Sequence, residues 1–113
     1  MADPDIIQQA NAFRDSLLQR EAAAFCKACL IDTNEGEKIK ANCKLPVYEP
    51  GGALNRNAVH AAAGGRGITR VKGVSAEVKR SAARKLVRLY RQIGDVAPES
   101  VYRIAGQRRP SGG

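Results

Sequence analysis

The segment from residue 75 to residue 94, SAEVKRSAARKLVRLYRQIG, carries the strongest structural signal in the chain. Its apolar residues recur at intervals of three and four, which places them on one side of an α-helix: Val78, Ala82, Leu86, Leu89 and Ile93. Ser75 is a suitable N-cap, and Gly94 can take the left-handed position that ends a helix. Four arginines form a second row at the same spacing: Arg80, Arg84, Arg88 and Arg91. The pattern predicts a helix over 75–93 with a core-facing side and a basic side.

Two shorter helices are predicted on either side of this element. Asn55 is a plausible N-cap for a helix over 55–63, and Pro98 with Glu99 can begin another over 98–105. A chain of 113 residues with 43% hydrophobic residues suffices for one modest core. We therefore predict a mainly α protein built on a small three-helix domain.

The first half of the chain predicts a helical arm followed by a short β-hairpin. Residues 1–25 have helical periodicity after Asp3-Pro4, and this arm packs on its own domain or docks on a neighbouring subunit. Residues 26–47 contain two short mixed segments around a polar turn at Gly36, which favours a hairpin. The alternative is that the first helix continues to Leu30. We predict one domain over 26–106, with a flexible tail over 107–113.

Charge is unevenly distributed along the chain, whose net charge is +8. Residues 1–65 contain seven Lys and Arg against eight Asp and Glu, whereas residues 66–113 contain twelve against three. Such a basic region favours contact with nucleic acid or with an acidic protein surface. The predicted contact residues are Arg66, Arg70, Lys72, Arg80, Arg84, Arg88, Arg91 and Arg103.

The basic loop between the second and third helices contains four glycines within residues 64–73. Its glycines and cations could bring backbone N–H groups to a phosphate, but it matches neither GxxxxGK[ST] nor GxGxxG. A flexible connection is therefore preferred over a phosphate-binding loop.

The three cysteines and the single histidine raise the question of a zinc site. Cys26, Cys29, Cys43 and His60 could supply a tetrahedral set, but a second close pair of ligands is missing, and the cysteines could equally be small apolar residues. We predict no metal or other cofactor, with zinc on this set as the less favoured alternative.

With one histidine and no clustered carboxylates, we also predict a protein that is not an enzyme. Neither an apolar run of 18 residues nor a signal peptide is present, so we expect an intracellular protein without membrane contact.

Two segments, CKLPVYEPGGALNRNAVHAAA and KRSAARKLVRLYRQIGDVAPESVYRIAG, resemble a small helical module of tailed bacteriophages. That module accompanies head-maturation proteases and other capsid-assembly proteins. The matching features are Lys44-Leu45-Pro46, Pro50-Gly51-Gly52, Leu54-Asn55, the run 58–62, the run 79–90 and Pro98-Glu99-Ser100. This chain differs in its basic glycine-rich loop and its N-terminal arm.

The resemblance implies a structural protein of the virion or prohead that is capsid-associated or acts in head assembly or head completion. Its implied partners are capsid or head proteins, or packaged DNA, and it would be present in several copies. Its implied location is the virion, or the host cytoplasm during assembly. The alternatives are a small basic module that binds nucleic acid without sequence preference and, less favoured, a zinc-stabilised binding domain.

Overall fold

The computed structural model describes residues 18–65 and 67–110, which form four α-helices and one two-stranded antiparallel sheet. Helix α1 includes the helical residues 18–27, and α2, α3 and α4 are Arg56–Ala63, Ala76–Gln92 and Glu99–Ala105. Strands β1 and β2 are Cys29–Asp32 and Cys43–Pro46, with a single 3-10 turn at Lys40–Asn42 before β2. The predicted mainly α fold with a hairpin is confirmed, although the helices number four where the predicted domain has three.

Helix α3 lies at the centre of the core and contacts α2, α4 and β1. Leu86 and Val87 are at most 1% exposed. The Ser75 hydroxyl accepts a hydrogen bond from the Val78 amide at 3.2 Å, as an N-cap should. At the other end Gly94 has φ 73°, and the Asp95 amide donates to the Tyr90 carbonyl at 2.9 Å. The capping residues lie outside the helix proper, so the observed helix is one residue shorter at each end than predicted.

The hairpin begins directly after α1, which is helical up to residue 27. The Val47 amide donates to the Ala28 carbonyl at 2.9 Å, and Ile31 pairs with Lys44 between the strands. The alternative of a first helix that continues to Leu30 is therefore wrong. In the ten-residue connection, the Asn34 side chain accepts from the Ile39 amide at 3.1 Å and holds the turn closed.

A disulfide between Cys26 and Cys43 joins the end of α1 to the start of β2. The Gln19 side chain adds a hydrogen bond to the Lys38 carbonyl at 3.2 Å, and Ala22 is buried. The described part of the predicted arm therefore packs on its own hairpin. The rest of that arm, residues 1–17, lies outside the described residues.

The glycine-rich loop packs against the core over part of its length. A flexible connection would not pack in this way. Ile68 is fully buried, and its amide donates to the Ala62 carbonyl at 2.7 Å. A Cβ at Gly67 would overlap the Ala62 carbonyl and would come within 2.7 Å of the Ala61 oxygen. This position therefore requires glycine because backbone of α2 lies against it. Arg66, also in this loop, is outside the described residues.

The predicted tail over 107–113 is held at one point within its described part, residues 107–110. The Arg109 guanidinium Nε donates to the Ala97 carbonyl at 3.2 Å, and Ala97 is itself fully buried.

No helix in the described ranges has both the length and the apolar character needed to cross a bilayer.

Gly67→Ala should destabilise the protein by about 1–3 kcal/mol, because an added methyl group there overlaps backbone that cannot move independently. Urea unfolding followed by circular dichroism measures the change. Gly65→Ala is the matched control, since a Cβ at Gly65 would have no heavy atom within 4 Å. Equal stability of the two variants would contradict the packing of this loop.

Candidate nucleic-acid interface

The exposed side of α3 carries five cations, which we call the basic face: Arg80, Arg84, Lys85, Arg88 and Arg91. Glu77, in the first turn, is the acidic residue of the same helix. Within residues 18–65 and 67–110, none of the five cations forms an ion pair with a carboxylate. Burial of the apolar side of α3 leaves these charges facing solvent, where an anionic partner could reach them.

Arg84 also has a structural role on this face. Its guanidinium Nε donates to the Ala105 carbonyl at 3.0 Å, at the C-terminal end of α4. A cation is favourable there because the carbonyls at the end of a helix carry partial negative charge. Substituting Arg84 would therefore alter the packing of α4 as well as the charge of the face, so Arg84 is a poor residue with which to test binding alone.

Arg103 is part of the predicted contact set, but it lies on α4. It approaches Glu99 with 4.0 Å between nitrogen and oxygen, and both side chains are exposed. Exposed pairs of this kind contribute little to stability, and the neighbouring carboxylate reduces the local positive charge.

The loop cations of the predicted set lie in the segment before α3. Arg70 and Lys72 are exposed. The loop meets α3 where the Lys79 ammonium donates to the Thr69 carbonyl at 3.3 Å. Lys79 and Arg88 are nine residues apart, which is about 180° around the helix. The loop therefore meets α3 on the side of the helix away from Arg88.

The sequence did not predict a groove that lies between the end of α1, β1 and α3. We call it the Tyr48 groove. It consists of three adjoining cavities that share Lys27, with volumes of about 560, 290 and 370 Å³. Lys85 and Arg88 line it from the basic face, and Tyr48 lines two of its cavities. The helical period of α3 could have indicated Lys85. No local pattern places Tyr48 or Lys27 beside α3, because that proximity depends on how the hairpin packs.

The less favoured zinc set is not assembled in this structure. Cys26 and Cys43 are bonded to each other, so neither is a thiolate that could bind a metal ion. In the described residues one group of potential ligands lies together, formed by Cys26, Cys43 and Asp32, and it includes neither Cys29 nor His60. The Asp32 carboxylate also pairs with Lys38. Hydrogen bonds from the Lys38 ammonium and then from the Asn34 backbone amide lower the pKa of the Asp32 carboxyl.

His60 is a residue of α2, and its side chain contacts the end of α3 and the turn after it. Its ring stacks on Tyr90 with centroids 5.3 Å apart, and its Nε2 lies 3.4 Å from an Asp95 carboxylate oxygen. Burial of Tyr90, and then the charge of Asp95, raise the pKa of the phenol. Since one face of Tyr90 is covered by His60 and the residue is 5% exposed, Tyr90 is not available for stacking on a nucleobase.

Comparison of the chain with protein-family models, curated proteins and solved structures finds no match. The resemblance to the phage module therefore stays a prediction.

Cys29 should be the one thiol that reacts in the folded, unreduced protein, and it should react slowly. Its partial burial, and then the charge of Asp32, raise its pKa to about 11, so that the thiolate is roughly 0.1% of the population at pH 8. Alkylation by iodoacetamide, followed by intact mass, should label one site and accelerate about tenfold per pH unit up to pH 10. Cys29→Ser should abolish the labelling. Rapid labelling at more than one site would contradict both the disulfide and the environment of Cys29.

Proposed function

We propose that this chain is a non-enzymatic structural protein of a tailed bacteriophage, associated with the capsid or with head assembly or head completion. It would act through contacts with capsid or head proteins, in several copies, in the virion or in the host cytoplasm during assembly. The proposal rests on the sequence resemblance. Several residues that carry the resemblance have structural roles here. Asn55 caps α2, Pro98 precedes α4, and Ala62 and Tyr90 are buried in the core.

Because these motif residues are occupied in caps and in the core, contacts with a partner would be made by side chains on the solvent-facing surface. On that surface the basic face is the dense cluster of like charge, because five cations lie on one side of a 17-residue helix. An acidic surface of a capsid or head protein is the complementary partner that this proposal requires. The basic face is the observation that supports a binding role over a purely space-filling one.

Particle association tests this proposal directly. We expect the protein to co-sediment with proheads and with DNA-filled virions of the phage that encodes it, as detected by mass spectrometry of gradient fractions. Retention on proheads that lack DNA would support a protein contact, because no nucleic acid is then present. Absence of the protein from both kinds of particle would contradict the proposal.

A second candidate function is binding of DNA without sequence preference. The cations of the basic face favour it, since none of them is paired with a carboxylate among the described residues. Cations on one helix side can neutralise several phosphates, and such contacts carry no base information. The five cations of the face would give a dependence of log K on log salt with a slope of about −4 to −5 on duplex DNA.

The DNA candidate is tested by fluorescence anisotropy on a random duplex at several salt concentrations. The double variant Lys85→Ala with Arg88→Ala should weaken binding and reduce the slope by about two units, because two phosphate contacts are lost. The matched control is Arg20→Ala with Arg56→Ala, which removes the same charge from exposed positions on α1 and α2. Equal slopes for both double variants would contradict a role for the basic face.

A further inference from the structure

We propose that the Tyr48 groove is a binding site for single-stranded nucleic acid. A nucleobase would lie against the Tyr48 ring, and the adjoining phosphates would contact Lys27, Lys85 and Arg88. This inference rests on the second candidate function. It adds the form of nucleic acid and the surface on which that strand binds.

The groove contains a cavity of the size of a ligand site, and two further cavities adjoin it. Its largest cavity, of about 560 Å³, lies within the range of about 300–1,000 Å³ that is typical of ligand sites. Lys27 borders all three cavities, so they adjoin one another at this side chain. The cavity between Tyr48 and α3 has the buried side chains Leu30 and Leu89 in its lining, which gives an apolar floor for a base.

Tyr48 is held at the surface by its backbone. Its amide donates to the Ala28 carbonyl at 3.4 Å, and it forms a bridge with Leu54 on its other side. The preceding residue, Val47, is fully buried, whereas Tyr48 remains 38% exposed. The other two tyrosines, Tyr90 and Tyr102, are at most 5% exposed. Among the tyrosines, Tyr48 is therefore the one that can offer its ring to a ligand without repacking of the core.

The charge around Tyr48 matches a phosphate backbone. Lys27, Lys85 and Arg88 are exposed, and none forms an ion pair within the described part of the chain. Within the described residues, the carboxylates that line the groove are Glu49 and Asp32, and neither lines the cavity that holds Tyr48, Lys85 and Arg88. Glu49 accepts a hydrogen bond from the Asn55 side chain at 3.3 Å, and Asp32 is paired with Lys38. The middle of the groove is therefore cationic beside an exposed ring, the combination that binds single strands without sequence preference.

A single strand fits this site better than a duplex does. Bases in a duplex are stacked on one another, and a side chain can stack on a base only where the strand is unpaired and the base can turn outward. A duplex could still contact the basic face through its phosphates, but it would not use Tyr48. The dependence of binding on the Tyr48 ring therefore separates the two modes.

Titration with an oligothymidylate of about 12 nucleotides tests the inference, with affinity measured by anisotropy of the labelled strand. The protein contains no Trp and three Tyr, so its intrinsic emission reports on tyrosine, and stacking should quench it. We expect Tyr48→Ala to weaken binding of the single strand roughly fivefold to a hundredfold, because one stacked base is lost. Tyr48→Phe keeps the ring and should stay within about twofold of the natural protein. Circular dichroism of both variants verifies the fold.

A second variant pair keeps the test valid if Tyr48→Ala fails to fold. Lys85→Ala with Arg88→Ala should weaken binding of the single strand, while Arg20→Ala with Arg56→Ala should not.

The outcomes separate this inference from the functions on which it rests. Duplex binding with no effect of Tyr48→Ala on the single strand would overturn the Tyr48 groove and leave the basic face intact. Binding of neither nucleic acid at tens of micromolar would overturn both. In a further outcome, polyglutamate displaces the single strand, and the strand binds the natural protein and Tyr48→Ala with equal affinity. That result would identify an acidic peptide as the occupant and overturn the inference.

Discussion

Burial of the apolar side of α3 is the constraint on which the rest of this structure depends. Helices α2 and α4 have eight and seven residues, too few for a stable helix in isolation. Both are stabilised by packing on α3, through fully buried residues such as Val59 on α2 and Val101 on α4. Because one side of α3 is committed to this core, its cationic side must face solvent. The same packing therefore determines both the fold and the position of the basic face.

The position of the hairpin has a similar double consequence. Ile31 and Val47 are buried in the core shared with α3, and the disulfide attaches α1 to the same hairpin. This arrangement brings the end of α1 close to the cationic side of α3. Lys27, which belongs to the acidic half of the sequence, then lies in the same groove as Lys85 and Arg88. The distribution of charge along the sequence therefore differs from the distribution of charge on the folded surface.

The sequence predicted α2, α3 and α4 to within one residue at each end, because their caps and apolar spacing are local signals. It also predicted the hairpin, whose turn is marked by Asn34 and Gly36. It did not predict the burial of Ile68 or the need for glycine at 67, since both depend on how the loop returns to α2. The pairing of Cys26 with Cys43 and the location of Tyr48 depend on the same kind of long-range packing. Of the predicted contact residues, the four arginines of α3 lie on one side of that helix, whereas Arg70 and Lys72 lie in the preceding loop and Arg103 lies on α4.

We propose the cationic side of α3, together with the adjoining Tyr48 groove, as the surface on which this chain contacts an extended anion. Amide chemical-shift mapping by NMR during titration with oligothymidylate tests it most directly, because every described residue except the prolines reports separately. We predict shift changes concentrated at Lys27, Tyr48, Lys85 and Arg88, with the amides of α2 unaffected. Changes centred instead on Arg70 and Lys72, or spread evenly over all exposed cations, would contradict binding at this surface.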